Sequence, residues 1–126
     1  MNILIINFLI KIKNATSFKK EFLKISYNQH FLPFVYFFYK EGLIQSFKIE
    51  KKVNKILIIF RYSNNNDNFN KLKLFSKPSR IFYFCNKEIA LFSSKQKIYF
   101  FSTDKGFHSN QNCKMLHLGG KLYFSI

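Results

Sequence analysis

Two cysteines, six carboxylates and two arginines in 126 residues set the first limits on this chain. Cys85 and Cys113 are too few for a disulfide scaffold, and neither has a second thiol close by, so both are expected to be reduced. The acids are Glu21, Glu41, Glu50, Asp67, Glu88 and Asp104, thin material for general acid–base chemistry. No glycine-rich stretch has the spacing of a phosphate-cradling loop. His30, His108 and His117 offer further ligand atoms, and Cys113 and His117 lie one helical turn apart. Two ligands do not make a structural zinc site, and packing is the simpler reading of the pair. Neither catalysis, a cofactor nor a small-molecule substrate is expected.

A long apolar run is missing as well. Residues 1–10 are apolar, but Lys11 and Lys13 interrupt them at about half the length of a bilayer span. The same stretch has no arginine and little serine, unlike a transit peptide.

Positive charge is what the chain has in excess. Lysine and arginine number 21 against 6 acids, a formal net charge of +15. Such a chain repels itself until a polyanion neutralises it, and phosphates would do so with release of counterions. An anionic membrane surface meets the same requirement, so charge alone leaves a nucleic-acid binder and a basic membrane-surface protein both open. Nearly all the basic residues are lysine, and Phe, Ile and Asn crowd the rest. These residues have A/T-rich codons, which suits an organelle genome, the mitochondrion first, with a plastid or the cytoplasm of an A/T-biased bacterium as alternatives. If the protein works in an organelle, it is expected to be made there.

The pattern predicts an α+β chain of two small subdomains. A helix is expected over residues 2–18, with Ile3, Ile6, Leu9, Ile10 and Lys13 separating an apolar face from a partly basic one, and a polar turn around Asn14. Residues 21–27 alternate as a strand. Asn28 is a candidate N-cap for an apolar helix over 31–39 that stops at Gly42, although Pro33 lies too deep for a first turn counted from Asn28. Residues 44–51 and 55–62 read as a β-hairpin, with Ile56, Ile58, Phe60 and Tyr62 on one face and Lys55, Leu57, Ile59 and Arg61 on the other. Residues 63–70 hold five asparagines and one large apolar residue, Phe69, the composition of a solvated connection. The boundary is placed there, giving an α/β unit over 1–70 and a mostly β unit over 71–126. The second unit contains strands near 71–75, 80–85, 97–102 and 121–126. A short helix capped by Ser109 ends near His117, ahead of Gly119 and Gly120.

The informative stretch follows Tyr99-Phe100-Phe101, namely Ser102-Thr103-Asp104-Lys105-Gly106. Hydroxyls can bond RNA base edges and ribose 2′-hydroxyls, Lys105 can neutralise a phosphate, and Gly106 permits close approach or positive φ. The helix starting at Ser109 would present free N–H groups nearby. Taken alone, the stretch reads more readily as an ordinary strand-to-helix turn.

The same residues, followed by Ser109 and Leu118-Gly119-Gly120-Lys121-Leu122, resemble the C-terminal signature of the bacterial-type small-subunit ribosomal protein eight family, Ser-Thr-Ser-Lys-Gly and then Gly-Gly-Glu. Leu9-Ile10-Lys11-Ile12-Lys13-Asn14-Ala15, Lys40-Glu41-Gly42-Leu43-Ile44, Phe47-Lys48 and Ser76-Lys77-Pro78 resemble further family motifs in the same order, so the likeness runs along nearly the whole chain. It implies a non-catalytic constituent of the small ribosomal subunit that binds the central domain of its rRNA early in assembly, beside neighbouring ribosomal proteins. It also implies two subdomains.

By position, the family's roles fall on Ser102, Thr103, Lys105 and Gly106 as the RNA-reading loop and on Ser109 as the cap behind it. Gly119 and Gly120 would bring the last strand to the RNA, and a helix-terminating turn is the other reading of that pair. Lys11, Lys13, Asn14, Lys77 and Pro78 would meet RNA backbone. Tyr83 would stack or hydrogen-bond at the RNA surface, or pack in the core or at an interface. Departures are Asp104 for a small neutral residue, Lys121 for glutamate, Ser79 and His117 for glycine, and Gln111 for a basic residue. Lys121 then stands as a phosphate partner where the family has a base-reading acceptor.

Overall fold

Phenylalanine makes much of the interior, and the spacing of these rings along alternating or helical segments determines which elements form. The computed structural model describes residues 3–62, 68–75, 79–91 and 97–126. They cluster as two compact units, one over Asn7–Asn70 and one over Lys71–Ile126 together with the first residues of the chain.

In the N-terminal unit, helix α1 spans Ile3–Ser17 and strand β1 spans Phe22–Ser26. A 3-10 turn, Gln29–Phe31, leads into α2, Leu32–Lys40, followed by β2, Ile44–Glu50, and β3, Lys55–Phe60. The strands form an antiparallel sheet in the order β1-β3-β2, with a bulge between Ile44 and Ser46. Ile25, Ile56, Ile58 and Phe60 are buried on one face, as the alternation predicted, whereas Tyr62 stays exposed and its hydroxyl donates to the Lys20 carbonyl. On α2, Tyr36 and Tyr39 meet Phe47 of β2 edge-on at 5.0 and 5.7 Å.

Three expectations for this unit change. Helix α1 runs through Asn14 to Ser17, and its buried residues are Phe8, Leu9, Ile12, Ala15 and Thr16. Ile3 and Ile10 are exposed. The buried side is chosen by aromatic packing, Phe8 stacking on Phe31 at 4.5 Å and meeting Phe34 at 6.4 Å, which outweighs the isoleucine spacing. Asn28 accepts from the His30 N–H at 2.9 Å but caps the 3-10 turn, so α2 starts later and Pro33 falls in its first turn, where no N–H is needed. Phe69 is buried against Phe38 and Phe60 at 5.2 and 6.3 Å, within a 3-10 turn over Asn68–Lys71, so this end of the asparagine-rich stretch is packed rather than solvated.

The C-terminal unit contains β4, Lys73–Leu74, β5, Phe82–Phe84, α3, Asn86–Leu91, β6, Tyr99–Thr103, β7, Gly106–Ser109, α4, Asn110–Leu116, and β8, Gly120–Ser125. The central strand is β8, which pairs antiparallel with β4, β5 and β6, while β7 pairs with β6. Ile89, Phe101, Cys113 and Leu122 make a core joined by Phe75, Phe82, Phe84 and Tyr99. Phe100 stacks with Phe107 and Phe124 at 5.0 and 4.7 Å. Helix α3 and strand β7 were not anticipated; both are short, α3 being held against α4 with Ile89 in the core and β7 by pairing with β6, rather than by periodicity of their own.

Two helix ends use the same hydrogen-bond arrangement with different residues. After α2, Leu43 N–H reaches the Phe38 carbonyl and Gly42 N–H the Tyr39 carbonyl, with Gly42 at φ +75°. After α1, Lys20 N–H reaches Ala15 and Lys19 N–H reaches Thr16, but the left-handed residue is Lys19, at φ 54°. A Cβ in that conformation costs about 1 kcal/mol. Lys19→Gly is therefore expected to stabilise the fold by roughly that amount, read as a higher urea midpoint at unchanged slope.

Candidate nucleic-acid interface

The stretch 102–106 is the tip of a hairpin rather than a strand-to-helix turn. Thr103 pairs with Gly106 across β6 and β7, leaving Asp104 and Lys105 to turn the chain. Gly106 takes φ +104°, and the Thr103 hydroxyl donates to its carbonyl at 2.7 Å. Asp104, Lys105 and Gly106 are exposed. The start of α4 lies at the far end of β7, where Ser109 is buried and its Oγ accepts the Asn112 N–H at 3.4 Å. The expected free N–H groups do not adjoin the loop, and Ser109 supports the sheet from within.

Register brings the other residues to this hairpin. Lys121 of β8 pairs with Ser102 of β6 on one side and with Tyr83 of β5 on the other. Phe107 of β7 pairs with Ser102, so Phe107, Ser102, Lys121 and Tyr83 form one cross-strand row with side chains on one face. Tyr83 is 65% exposed, which removes its core-packing reading, and the Lys121 ammonium stands 5.3 Å from its ring centroid. Among the described residues no hydrogen bond occupies the Ser102 hydroxyl. Beside this row lies a concavity of about 580 Å³, which takes in Tyr83, Ser102, Thr103, Gly119, Gly120 and Lys121.

The glycine pair has a packing reason that neither sequence reading named. A Cβ on Gly120 would fall 2.2 Å from the Ser102 carbonyl oxygen, and one on Gly119 would fall 2.9 Å from that of Phe84. These glycines let β8 enter between β5 and β6. Helix α4 is ended instead by His117, left-handed at φ 55°, whose N–H bonds the Cys113 carbonyl. His117 thus takes the left-handed conformation that glycine adopts most readily, at a cost in strain.

The profile described as Ribosomal protein S8 matches residues 4–126. The chain belongs to the ribosomal protein S8 family. It is 30% identical over 129 residues to the small ribosomal subunit protein uS8 of Nautilia profundicola, covering 100% of this chain and 98% of that one. Against the protein of the same name from Mycoplasmopsis pulmonis it is 31% identical over 120 residues, covering 94% and 91%. Against that of Helicobacter acinonychis it is 26% identical over 129 residues, covering 100% and 98%. As an S8-family member the chain is a structural, non-enzymatic constituent of the small ribosomal subunit, taking part in translation. The named relatives are bacterial and give no support to a mitochondrial origin.

Not all the S8 motif positions come together. Lys11 and Asn14, three residues apart, share one side of α1, while Lys13 projects from another. Lys77 and Pro78 lie outside the described residues. Sequence reasoning missed Cys85 and Glu88, which also line the concavity. Asn86-Lys87-Glu88 ahead of Ile89 is a helix-start pattern that could have found them. Glu88 and Asp104 set two carboxylates there against one ammonium, Lys121, so the concavity does not attract phosphate strongly. It offers hydroxyls, main-chain groups and an aromatic rim.

Cys113 and His117 do not form a ligand pair, because the Cys113 side chain is fully buried in the core while His117 Nδ1 lies 3.2 Å from Asn86 Nδ2. Among the described residues no group of three metal-ligating side chains occurs. Burial pushes the Cys113 thiol from 9.0 up to about 11. The folded state therefore holds this proton where the unfolded chain releases it, and stability falls as pH rises between about 9 and 11. Alkylation at pH 8 followed by mass spectrometry is expected to label exposed Cys85 and to reach Cys113 only after unfolding.

Proposed function

We propose that the chain binds the central domain of small-subunit rRNA directly and supports assembly of the subunit through the β6–β7 tip and the row beside it. The observation that carries this reading is the convergence of Ser102, Lys121 and Tyr83 on one cross-strand row next to the exposed tip. An RNA helix is read by shape, by 2′-hydroxyls and by unstacked bases. The concavity suits a base or ribose edge, with Ser102 and Thr103 hydroxyls and the strand backbone as bonding groups and the Tyr83 ring as a stacking platform. Lys105 at the tip is the main phosphate partner in this reading, because Asp104 and Glu88 weaken the attraction of phosphate within the concavity. Lys121, held over Tyr83, serves the backbone of the stacked nucleotide.

Gly106, Gly119 and Gly120 shape this surface, and Ser109 fixes the strand behind it. Lys11, Lys13, Asn14, Lys77 and Pro78 add backbone contacts in this reading. Neighbouring ribosomal proteins complete the surroundings. Among the described residues no helix is long and apolar enough to cross a membrane. A mitochondrial ribosome is proposed from composition alone.

Binding to a central-domain rRNA fragment, to an unrelated hairpin and to anionic vesicles over a salt series tests the reading. The expected result is a steep salt slope and a clear preference for the cognate fragment. Equal affinity for both RNAs, or a preference for vesicles, contradicts it. Lys105→Ala is expected to lower the salt slope by about one unit, and Ser102→Ala to reduce discrimination between RNAs. Tyr83→Ala is expected to cost about 1–3 kcal/mol of binding that Tyr83→Phe retains, the signature of stacking rather than of the hydroxyl.

A further inference from the structure

The sheet of the N-terminal unit has a second face that its own helices do not bury. By register this face carries Phe22, Lys24 and Ser26 of β1, Lys55, Leu57 and Ile59 of β3, and Ser46, Lys48 and Glu50 of β2. Phe22, Leu57 and Ile59, with Glu21 and Lys24, line a shallow apolar groove of about 270 Å³, and Phe22 is 53% exposed. Lys24 and Lys48 stand opposite Leu57 from either side.

The groove runs along an open sheet edge. Phe60 N–H donates to the Glu21 carbonyl at 3.0 Å and Tyr27 N–H to that of Asn54 at 2.9 Å, so the odd-numbered residues of β1 make the bonds to β3. By antiparallel alternation, Phe22, Lys24 and Ser26 turn their N–H and C=O groups the other way. Among the described residues no strand pairs with that edge. The same three residues direct their side chains to the groove face, so unpaired main-chain groups and an apolar surface coincide, the arrangement that an added strand uses.

We propose that this edge and groove dock an extended acidic and apolar segment of a neighbouring small-subunit protein as a further strand on β1. Charge selects the occupant. Lys24, Lys48 and Lys55 outnumber Glu21 and Glu50 on and beside this face, and a chain of net charge +15 repels a second copy of itself. RNA would bring phosphates to an apolar groove and leave the alternating donors and acceptors of the edge unmatched. A fitting segment sets a carboxylate opposite Lys24 and a β-branched or aromatic residue opposite Phe22. The inference rests on family membership and not on the RNA-reading surface.

Amide hydrogen exchange, resolved to single residues by fragmentation in a mass spectrometer, tests it on three samples: the free chain, its complex with the rRNA fragment, and reconstituted small subunits. The Phe22, Lys24 and Ser26 amides are expected to exchange freely in the first two and to slow by at least about tenfold in the subunit, while Leu23 and Ile25 are slow throughout. Lys24→Glu and, separately, Phe22→Ser are expected to lose the added protection with rRNA affinity unchanged and the Leu23 and Ile25 amides still slow. Protection already present with RNA alone, protection in the concentrated free chain, or none in the subunit overturns the proposal. Because the subunit arm is read independently, failure of the rRNA fragment to bind counts against the RNA surface only.

Discussion

At Gly120 the backbones of β8 and β6 approach so closely that a methyl group there would lie 2.2 Å from the Ser102 carbonyl oxygen. This approach sets the register of the C-terminal sheet, because β8 is the strand on which β4, β5 and β6 all pair. One step along from Gly120, the same register puts Lys121 between Ser102 and Tyr83. A slip by one residue would send Lys121 to the core face and Leu122 to the surface. The row that faces outward and the core of Ile89, Phe101, Cys113 and Leu122 that faces inward are therefore two consequences of one backbone contact.

Charge and packing divide the work. With a net charge of +15 the compact chain opposes itself electrostatically, and stacked rings such as Phe100 with Phe107 and Phe124, or Phe8 with Phe31, supply apolar burial against that repulsion. Lysines are left to the surface. Where the candidate interface is concave its charge is mixed, with Glu88 and Asp104 beside Lys121. In the proposed reading Lys105 and Lys121 serve the RNA backbone while the hydroxyls and the Tyr83 ring serve bases, the general division between backbone contacts that position and base contacts that specify.

Much of the fold was legible in the chain because alternation is a direct signal. Strands β1, β2 and β3 fall where period-two patterns lie, β8 falls within the short strand expected over 121–126, and Ser109 caps α4 as its chemistry predicts, whereas Asn28 caps the 3-10 turn ahead of α2. What escaped was short or decided by tertiary contact. Strand β7 has four residues and exists by pairing with β6, and the buried side of α1 follows Phe8 and Ile12 rather than the isoleucine stripe. At the candidate site, the residue types were readable, but their juxtaposition depended on register between strands distant in sequence. For the same reason the tight fit of Gly119 and Gly120 between β5 and β6 was invisible, and their role was assigned to the RNA or to a helix end.

Cys85 is exposed and lines the concavity, while Cys113 is buried, so a single thiol can carry a probe to the centre of the proposed RNA surface. An iron chelate tethered at Cys85 cleaves nearby RNA backbone when hydroxyl radicals are generated. With full-length small-subunit rRNA, the account predicts strand scission clustered in one irregular helix of the central domain and weakened by Ser102→Ala. Scission spread over the RNA, or clustered in another domain, would contradict it.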